Sequence, residues 1–459
     1  MNYEKEPLHI STSVPNGTYE VTVTVTAHED MIFTILSQSR RFMAQDIKLG
    51  KGESTDITFN VSVCDYHKNN EDYTNVNGVE IDIMCDGDFT ALSAVSPVNI
   101  PTVYIAGDST VTDQPAEYPY NATSTYCGWG QMFPQFLNTG IAVENHAQSG
   151  STTEDFKNVN FTAFKDKIKK GDFLIIEFGH NDQKIDTLDA FGGYTENLKY
   201  FVNFVREKGA NPIICSPINR IIFQEDGTLL NLLGDYRTAV KNVCDEMNVP
   251  FIDLWSRTTE FFEATGAVKA WDYFWGNGTD RDYTHTNDIG GNIVARFVAN
   301  EMIKNNVQPI ADLIKKDMIN VEMPKHDSSV KPQNSKEIEH LKTIGLVNVP
   351  KASELAISID IEDFPSHDRL ASYCGLAPRN RQSGTSISSV TASRQGNKRL
   401  KNLLIFSCNC LTRTEGRWGD YYTRCRERGM SHGKALKALA RKRLKVIYAV
   451  MRDRVPYAA

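Results

Sequence analysis

The hydrophobic grammar of the chain breaks near residue 100, and no single fold accommodates the patterns on both sides of that break. Before it, polar and apolar residues alternate: Tyr19, Val21, Val23 and Val25 face one way, with Glu20, Thr22 and Thr24 between them. Ile57, Phe59, Val61 and Val63 repeat the pattern, as do Val79, Ile81 and Ile83. A period of two calls for half-buried antiparallel strands. Turn signals at Pro15-Asn16-Gly17, Gly50-Lys51-Gly52 and Asp86-Gly87-Asp88 separate the runs, so residues 1–100 read as a β-sandwich. Such modules often bind carbohydrate, but here a purely structural role is the simpler expectation.

From Pro101 short β-rich runs alternate with helical stretches. Thr102 to Ala106, Ala142 to Asn145, Asp172 to Phe178, Pro212 to Cys215 and Pro250 to Leu254 read as strands. Tyr194 to Lys208 and Tyr236 to Met247 carry apolar residues three and four apart, and a last helix is expected from about Ile289 to Asn305. This rhythm predicts a parallel sheet with helices on both faces, whose ligands sit at the carboxyl ends of the strands. Residues 101–321 form this second domain. The polar stretch Glu322 to Glu339, with two prolines, reads as part of a linker over 322–343. A third domain occupies 344–459.

Charge separates that third domain from the rest. Of 50 basic and 57 acidic residues, 21 and 9 lie from Lys351 onward, which leaves a net of +12 there and −19 before it. An acidic body with a basic tail suggests a nucleic-acid-binding appendage or a fusion of unrelated genes. Apolar runs such as Phe173 to Phe178 and Leu403 to Phe406 fall far short of the ~20 residues of a membrane span, so no membrane helix is expected. Met1 to Ser13 carries Glu4 and Glu6 and no apolar core, so no secretory signal is read and a cytoplasmic location is expected. The nine cysteines are irregularly spaced, without a CxxC pair, and are expected to be free thiols. No HExxH or Cys/His ligand spacing is present, and neither metal nor cofactor is expected.

The chemistry concentrates in four blocks. Gly107-Asp108-Ser109-Thr110 ends the first strand of the second domain, and Asn145-His146-Ala147-Gln148-Ser149-Gly150 follows the second. Gly179-His180-Asn181-Asp182 follows the third, and Asp282-Tyr283-Thr284-His285 lies just before the last helix. Taken singly these are weak: Ser109 reads as a helix cap, Asp282 as a cap for the final helix, and His285 as a polar residue at its entrance. Together, with Gly128-Trp129-Gly130, they resemble the SGNH (GDSL-like) hydrolases, and more narrowly the rhamnogalacturonan acetylesterases, over roughly 101–307. That resemblance implies a three-layer α/β/α flavodoxin-like fold, with Ser109 as nucleophile and Asp282 and His285 completing a triad. It also implies an oxyanion hole drawn from Ser109, Gly150 and Asn181.

The residue types suit those roles. A serine needs a base within hydrogen-bond reach, and an imidazole needs one tautomer held by a carboxylate. The backbone N–H groups of Ser109 and Gly150 and the Asn181 amide can meet the charge on a tetrahedral intermediate, and glycine at 150 lets the backbone come close. His146 and His180 read as structural, and Asp108 as a brace for the nucleophile turn. In many acetylesterases of this type Arg and Ser follow the second-block glycine, whereas here Ser151 and Thr152 follow Gly150. If that arginine holds an acidic sugar, this chain prefers a neutral or different acetylated glycan. The expected reaction is removal of O-acetyl groups from pectin-derived or other plant oligosaccharides.

Residues 344–459 resemble the C-terminal domain of DEDD-type insertion-sequence transposases. Phe364-Pro365-Ser366, Leu370-Ala371-Ser372-Tyr373, Cys374-Gly375-Leu376-Ala377-Pro378, Arg381-Gln382-Ser383-Gly384 and Ser393 to Leu400 carry the likeness. In that family a serine here acts on DNA with an acidic RuvC-like domain; Ser383 and Ser393 are both candidates. The acidic domain's place is taken by the sandwich and the hydrolase, so the tail reads as an orphaned, mostly helical basic fragment. Lys434, Lys437, Arg441, Lys442, Arg443 and Lys445, on a helix from Gly433 to Arg454, offer contacts to phosphates. A nucleic-acid-binding protein working through this tail is therefore the alternative function, and a non-catalytic glycan-binding protein a third.

Overall fold

The computed structural model describes residues 2–67, 73–75, 78–224, 226–278, 280–324, 341, 359, 361, 364–383, 387–392, 397–413 and 416–457. Most of the expected linker, and Ser393, lie outside the described residues. Two compact units emerge, residues 1–221 with 229–330, and residues 222–228 with 331–459.

In the first unit, alternation becomes two antiparallel sheets. Strands β1 (Leu8–Thr12), β2 (Gly17–Ala27), β3 (Met31–Ser37), β4 (Arg41–Leu49), β5 (Ser54–Val63), β6 (Val79–Met84) and β7 (Phe89–Pro97) arrange as β7-β2-β5 and β1-β6-β3-β4. Register sets Val21 opposite Phe59 and Val23 opposite Ile57, so every second side chain of β2 points inward. Val21, Val23 and Val25 meet Phe33, Ile35, Val79 and Ile81 in one apolar cluster.

The parallel sheet follows with strands β8 (Thr102–Gly107), β9 (Ala142–Asn145), β10 (Phe173–Glu177), β11 (Asn211–Cys215) and β12 (Phe251–Ile252), in the order β9-β8-β10-β11-β12. All of Phe173–Glu177 is buried, as expected of a strand covered on both faces. Helices α1 (Gly193–Glu207) and α2 (Gly234–Met247) turn Leu198, Phe201, Val205 and Val240 onto Leu174, Ile176 and Ile214. A third, α3, spans Leu254–Thr265, and a fourth, α4, spans Asp288–Lys304. Its N-cap is Asn287, whose side chain accepts from the N–H groups of Ile289 and Gly290 at 3.0 Å each. The capping role open to Asp282 is thus filled elsewhere. Before α4 runs an antiparallel hairpin, β13 (Phe274–Gly276) and β14 (Arg281–Thr286), so His285 sits in a strand rather than at a helix entrance.

The boundary expected at residue 100 is crossed by buried polar contacts. Arg40 donates to both carboxylate oxygens of Asp288, at 2.9 and 3.0 Å, and its Nε donates to the Gln114 carbonyl at 2.7 Å. Arg41 donates from Nε to Asp113 and from Nη1 to the Val143 carbonyl, both at 2.8 Å. Arg40 and Arg41 are 8% and 2% exposed, so both cations lie inside the unit.

The C-terminal region, taken by itself, contains helices α5 (His367–Tyr373), α6 (Lys398–Asn409), α7 (Arg417–Glu427) and α8 (His432–Asp453), with a hairpin of β15 (Pro378–Ser383) and β16 (Ile387–Ala392) that periodicity does not announce. Ser383 ends β15. Of the six basic residues expected on the phosphate-facing side of α8, Lys434, Arg441 and Lys445 are exposed, but Arg443 is 1% exposed and donates to the Ser407 carbonyl and hydroxyl at 3.2 Å. Arg443 is a core residue of the helix, not a surface one. Eight cysteines, Cys64, Cys85, Cys127, Cys215, Cys244, Cys374, Cys408 and Cys425, are buried free thiols. Among the described residues no helix is long and apolar enough to cross a membrane.

Arg40→Ala leaves the buried Asp288 carboxylate without its cation, and breaking such a pair typically costs about 3–5 kcal/mol. Urea unfolding of this variant is expected to show a loss of that size, while Lys48→Ala, on an exposed position of β4, stays within about 0.5 kcal/mol of wild type. A small loss at Arg40 would show that the pair does not hold the two layers together.

Candidate active site

Strand β8 delivers Ser109 to the carboxyl edge of the parallel sheet. The turn beyond it closes through the Asp108 carbonyl, which accepts from the N–H groups of Val111 and Thr112 at 3.1 Å and from the Thr112 hydroxyl at 2.8 Å. Ser109 Oγ lies 2.7 Å from His285 Nε2, and His285 Nδ1 lies 2.7 Å from Asp282 Oδ2. The other Asp282 oxygen accepts from the backbone N–H groups of Thr284, at 2.8 Å, and His285, at 3.2 Å. A carboxylate so held orients the imidazole, and the imidazole faces the hydroxyl. Residues 176 apart in sequence therefore meet where the turn after β8 faces the hairpin strand β14.

The remaining predicted residues lie on neighbouring loops. Asn181 Nδ2 donates to the Ser151 carbonyl at 3.1 Å, and its Oδ1 accepts from Lys184 at 2.8 Å, which ties the third block to the second. Gly150 has φ +83°, and a Cβ there would meet nothing within 4 Å. Glycine is thus required by the left-handed backbone rather than by crowding. Crowding does govern the Gly-Trp-Gly turn: a Cβ on Gly128 would lie 2.3 Å from the backbone carbon of Val111, beside the nucleophile turn. Ser151 and Thr152, which follow Gly150, are buried. Thr152 caps the helix Thr153–Asn158 in a reciprocal capping box with Asp155, and Ser151 supplies the carbonyl held by Asn181.

Beneath Ser109 lies a set of buried acids: Asp108 and Asp182 from the sequence blocks, and Glu177, which motif spacing does not reveal. Asp108 is fully buried; one oxygen accepts from the N–H and hydroxyl of Thr110, and the other has no partner. Glu177, at the end of β10, accepts from Trp129 Nε1, from the N–H of Ile218 at 3.2 Å and from the Thr110 hydroxyl at 3.3 Å. Burial, reinforced by the charge of Asp108, pushes the Glu177 carboxyl up to about 8. Burial likewise pushes Asp182 up to about 7, although Thr153 donates to it twice. His180, 2% exposed, is held neutral by burial, its imidazole pKa well below the usual value.

His146 belongs elsewhere. Its Nε2 donates to the Glu144 carboxylate at 2.9 Å, its ring stacks on Phe164 at 4.0 Å, and it lies with Cys64 and Glu144 in a buried group whose ligand atoms are all within 4.8 Å. These three residue types can hold a metal, but Glu144 already accepts from Ser62 and meets His146, and burial keeps the Cys64 thiol protonated. Spacing could not have shown this group, because its members come from opposite sides of residue 100. Two aromatic residues were also missed: Tyr126 packs edge-on against His285 at 5.8 Å and stacks on Trp275 at 4.6 Å.

Residues 105–292 match the GDSL-like Lipase/Acylhydrolase family, and residues 337–423 match the Transposase IS116/IS110/IS902 family. The chain is 36% identical over 220 residues to rhamnogalacturonan acetylesterase RhgT of Bacillus subtilis, a match covering 46% of this chain and 92% of that protein. To the probable rhamnogalacturonan acetylesterase YesY of the same organism it is 33% identical, over 47% of this chain and 98% of that one. With an uncharacterized insertion element IS110 protein of Streptomyces coelicolor it shares 41% identity over 108 residues, 23% of this chain and 27% of that protein, so it spans about a quarter of that protein's length.

The raised acid has a sign that can be tested. With Glu177 near 8 when folded and near 4.5 when unfolded, the folded state binds the extra proton between those values, so stability falls as pH rises through that window. The slope from this group is at most about 1.4 kcal/mol per pH unit. Urea midpoints at pH 5 and pH 8 are expected to differ less in Glu177→Gln than in wild type; equal differences would mean that Glu177 is ionised in the fold.

Proposed function

We propose, for a chain that belongs through residues 105–292 to the GDSL-like lipase/acylhydrolase family and is a carboxylic ester hydrolase, that it removes O-acetyl groups from plant cell-wall oligosaccharides of the pectin or rhamnogalacturonan kind by a Ser-His-Asp mechanism. The observation that carries this reading is the continuous relay from Ser109 Oγ through His285 to Asp282, with 2.7 Å at each link. In it, Ser109 attacks the acetyl carbonyl while His285 Nε2 takes the hydroxyl proton, forming a tetrahedral intermediate. The same proton passes to the sugar oxygen as that bond breaks, leaving an acetyl-serine. Water, deprotonated by His285, then releases acetate and restores the serine.

The backbone N–H groups of Ser109 and Gly150 and the Asn181 amide are proposed to meet the oxyanion. One Asn181 N–H is engaged by Ser151, which fixes the amide and leaves its second N–H as a donor. Removing one such donor typically lowers kcat by about 10²–10³. The domain layout is proposed as a β-sandwich over 1–100, the hydrolase over 101–321, a linker over 322–343 and a transposase-derived remnant over 344–459. Binding of nucleic acid through exposed Lys434, Arg441 and Lys445 is the second reading, and the match of residues 337–423 favours it.

Acetate release from acetylated rhamnogalacturonan and from a simple aryl acetate tests the main reading. Ser109→Ala is expected to lose all but a trace of both activities with its melting temperature intact, and a substantial residual rate would overturn the nucleophile. Asp282→Asn is expected to be less damaging than His285→Ala, since it removes the orienting carboxylate and leaves the base, although the wrong tautomer alone can lower kcat by about 10⁴. The reverse order would reassign the base.

A further inference from the structure

A cleft of about 290 Å³ lies against the nucleophile loop, with walls from both sides of residue 100. Gln38, Ser39 and Asp82 come from the antiparallel sheets, Gln114 and Tyr118 from the loop after Ser109, and Gln148 from the segment leading to Gly150. Its size is at the lower end of small-molecule sites, about 300–1,000 Å³, and suits a monosaccharide-sized group.

The cleft is joined to the site. Gln114 Nε2 reaches Ser149 Oγ at 3.2 Å and the Ser109 carbonyl at 3.5 Å, and the Gln148 N–H donates to the Gly107 carbonyl at 2.9 Å. A ligand in the cleft is therefore one side chain away from the nucleophile turn. Two lining groups are unanswered: Ser39 Oγ and Gln148 Nε2 are buried without a hydrogen-bond partner, and Gln148 is only 1% exposed. Buried polar atoms are rarely left so, and each calls for an explanation. One wall is also held in an unusual backbone: Gln38 and Arg40 adopt φ 56° and 62°, left-handed values uncommon for non-glycine residues and concentrated at functional sites.

The chemistry of the walls points to a sugar. Side-chain amides, a hydroxyl and a carboxylate supply donors and acceptors for hydroxyls that both donate and accept, and the half-buried Tyr118 ring offers an apolar face for ring C–H groups. The charge selects which sugar. Among the described lining residues the sole cation is Arg40, and its nitrogens are spent on the Gln114 carbonyl, Asp288 and the Tyr126 carbonyl. Asp113 is paired with Arg41, and Asp82 with His9 Nδ1 at 2.7 Å. A uronate carboxylate would find no free cation there. We infer that the cleft is a subsite for a neutral sugar residue next to the acetylated one, an inference that rests on the carbohydrate-esterase reading above.

Steady-state kinetics on the full chain test it with three probes: para-nitrophenyl acetate, an acetylated neutral xylo-oligosaccharide and an acetylated oligogalacturonide. Wild type is expected to favour the neutral oligosaccharide. In Tyr118→Ala, and in Ala116→Trp, which fills the cleft from an exterior loop should the first variant not fold, the ratio of kcat/KM for the neutral oligosaccharide to that for the aryl acetate is expected to fall by about tenfold, mostly through KM. If wild type cleaves acetylated oligosaccharides but the variants lose both substrates in proportion, the cleft is not a subsite while the carbohydrate reading stands. Preference for the oligogalacturonide would overturn the neutral assignment. If wild type cleaves the aryl acetate and neither oligosaccharide, the carbohydrate reading falls and the subsite falls with it.

Discussion

The two-point ion pair between Arg40 and Asp288 is the joint on which the active half of the molecule depends. Asp288 opens the last helix three residues after His285, and Arg40 sits in the turn between two strands of the antiparallel sheets. Its neighbour Arg41 holds Asp113, four residues after Ser109, and the carbonyl of Val143 on the edge strand of the parallel sheet. Consecutive arginines thus grip the segment that follows Ser109 and the segment that follows His285. Buried pairs of this kind contribute little net stability compared with apolar packing, but breaking one is strongly unfavourable. Their effect is to fix register. A relay that must hold each partner to about 0.5 Å depends on that more than on added stability.

The acids below the nucleophile turn set the electrostatics around that joint. Two carboxylates, Asp108 and Glu177, share the Thr110 hydroxyl in a region closed to water. If both were ionised, two negative charges would share one water-excluded site. Glu177 escapes this conflict because burial and the nearby aspartate keep it protonated at neutral pH. Trp129, fixed by glycines on either side of it, donates its indole N–H to the same group. The Gly-Trp-Gly turn is therefore explained by close backbone approach on one side and by a buried acid on the other.

Much of this was legible in the sequence, and the exceptions share a cause. The strand from Ala142 to Asn145 has the predicted ends, and the helices Gly193–Glu207 and Gly234–Met247 lie within two residues of expectation, because local periodicity determines them. Ser109, His285 and Asp282 come together as the four blocks suggest. The strand Arg281–Thr286 was missed since its polar run, Arg-Asp-Tyr-Thr-His-Thr, has no apolar alternation; it forms by pairing with Phe274–Gly276. Arg443 looked like a surface cation because helical spacing shows a charge but not the neighbour that buries it. The Arg40 pair, the Cys64 group and the cleft all join segments from opposite sides of residue 100. No pattern within either half encodes them.

That common cause bears on specificity. The turn after β8 supplies Ser109 and the hairpin supplies Asp282 and His285, and proteins that share such a constellation differ in the surfaces around it. Here one such segment is Ser151 and Thr152, which follow Gly150. Both are buried, with Thr152 committed to a helix cap and Ser151 to the loop of Asn181, so neither offers a cation to a substrate. The second is the cleft, where Arg40, the one cation among the described lining residues, is already held by Asp288. Two independent segments, one inside the hydrolase and one shared with the antiparallel sheets, therefore lack a free positive charge for the same reason: each uses its polar groups to hold the fold in register. What both segments present are hydroxyls and amides committed largely to the fold itself.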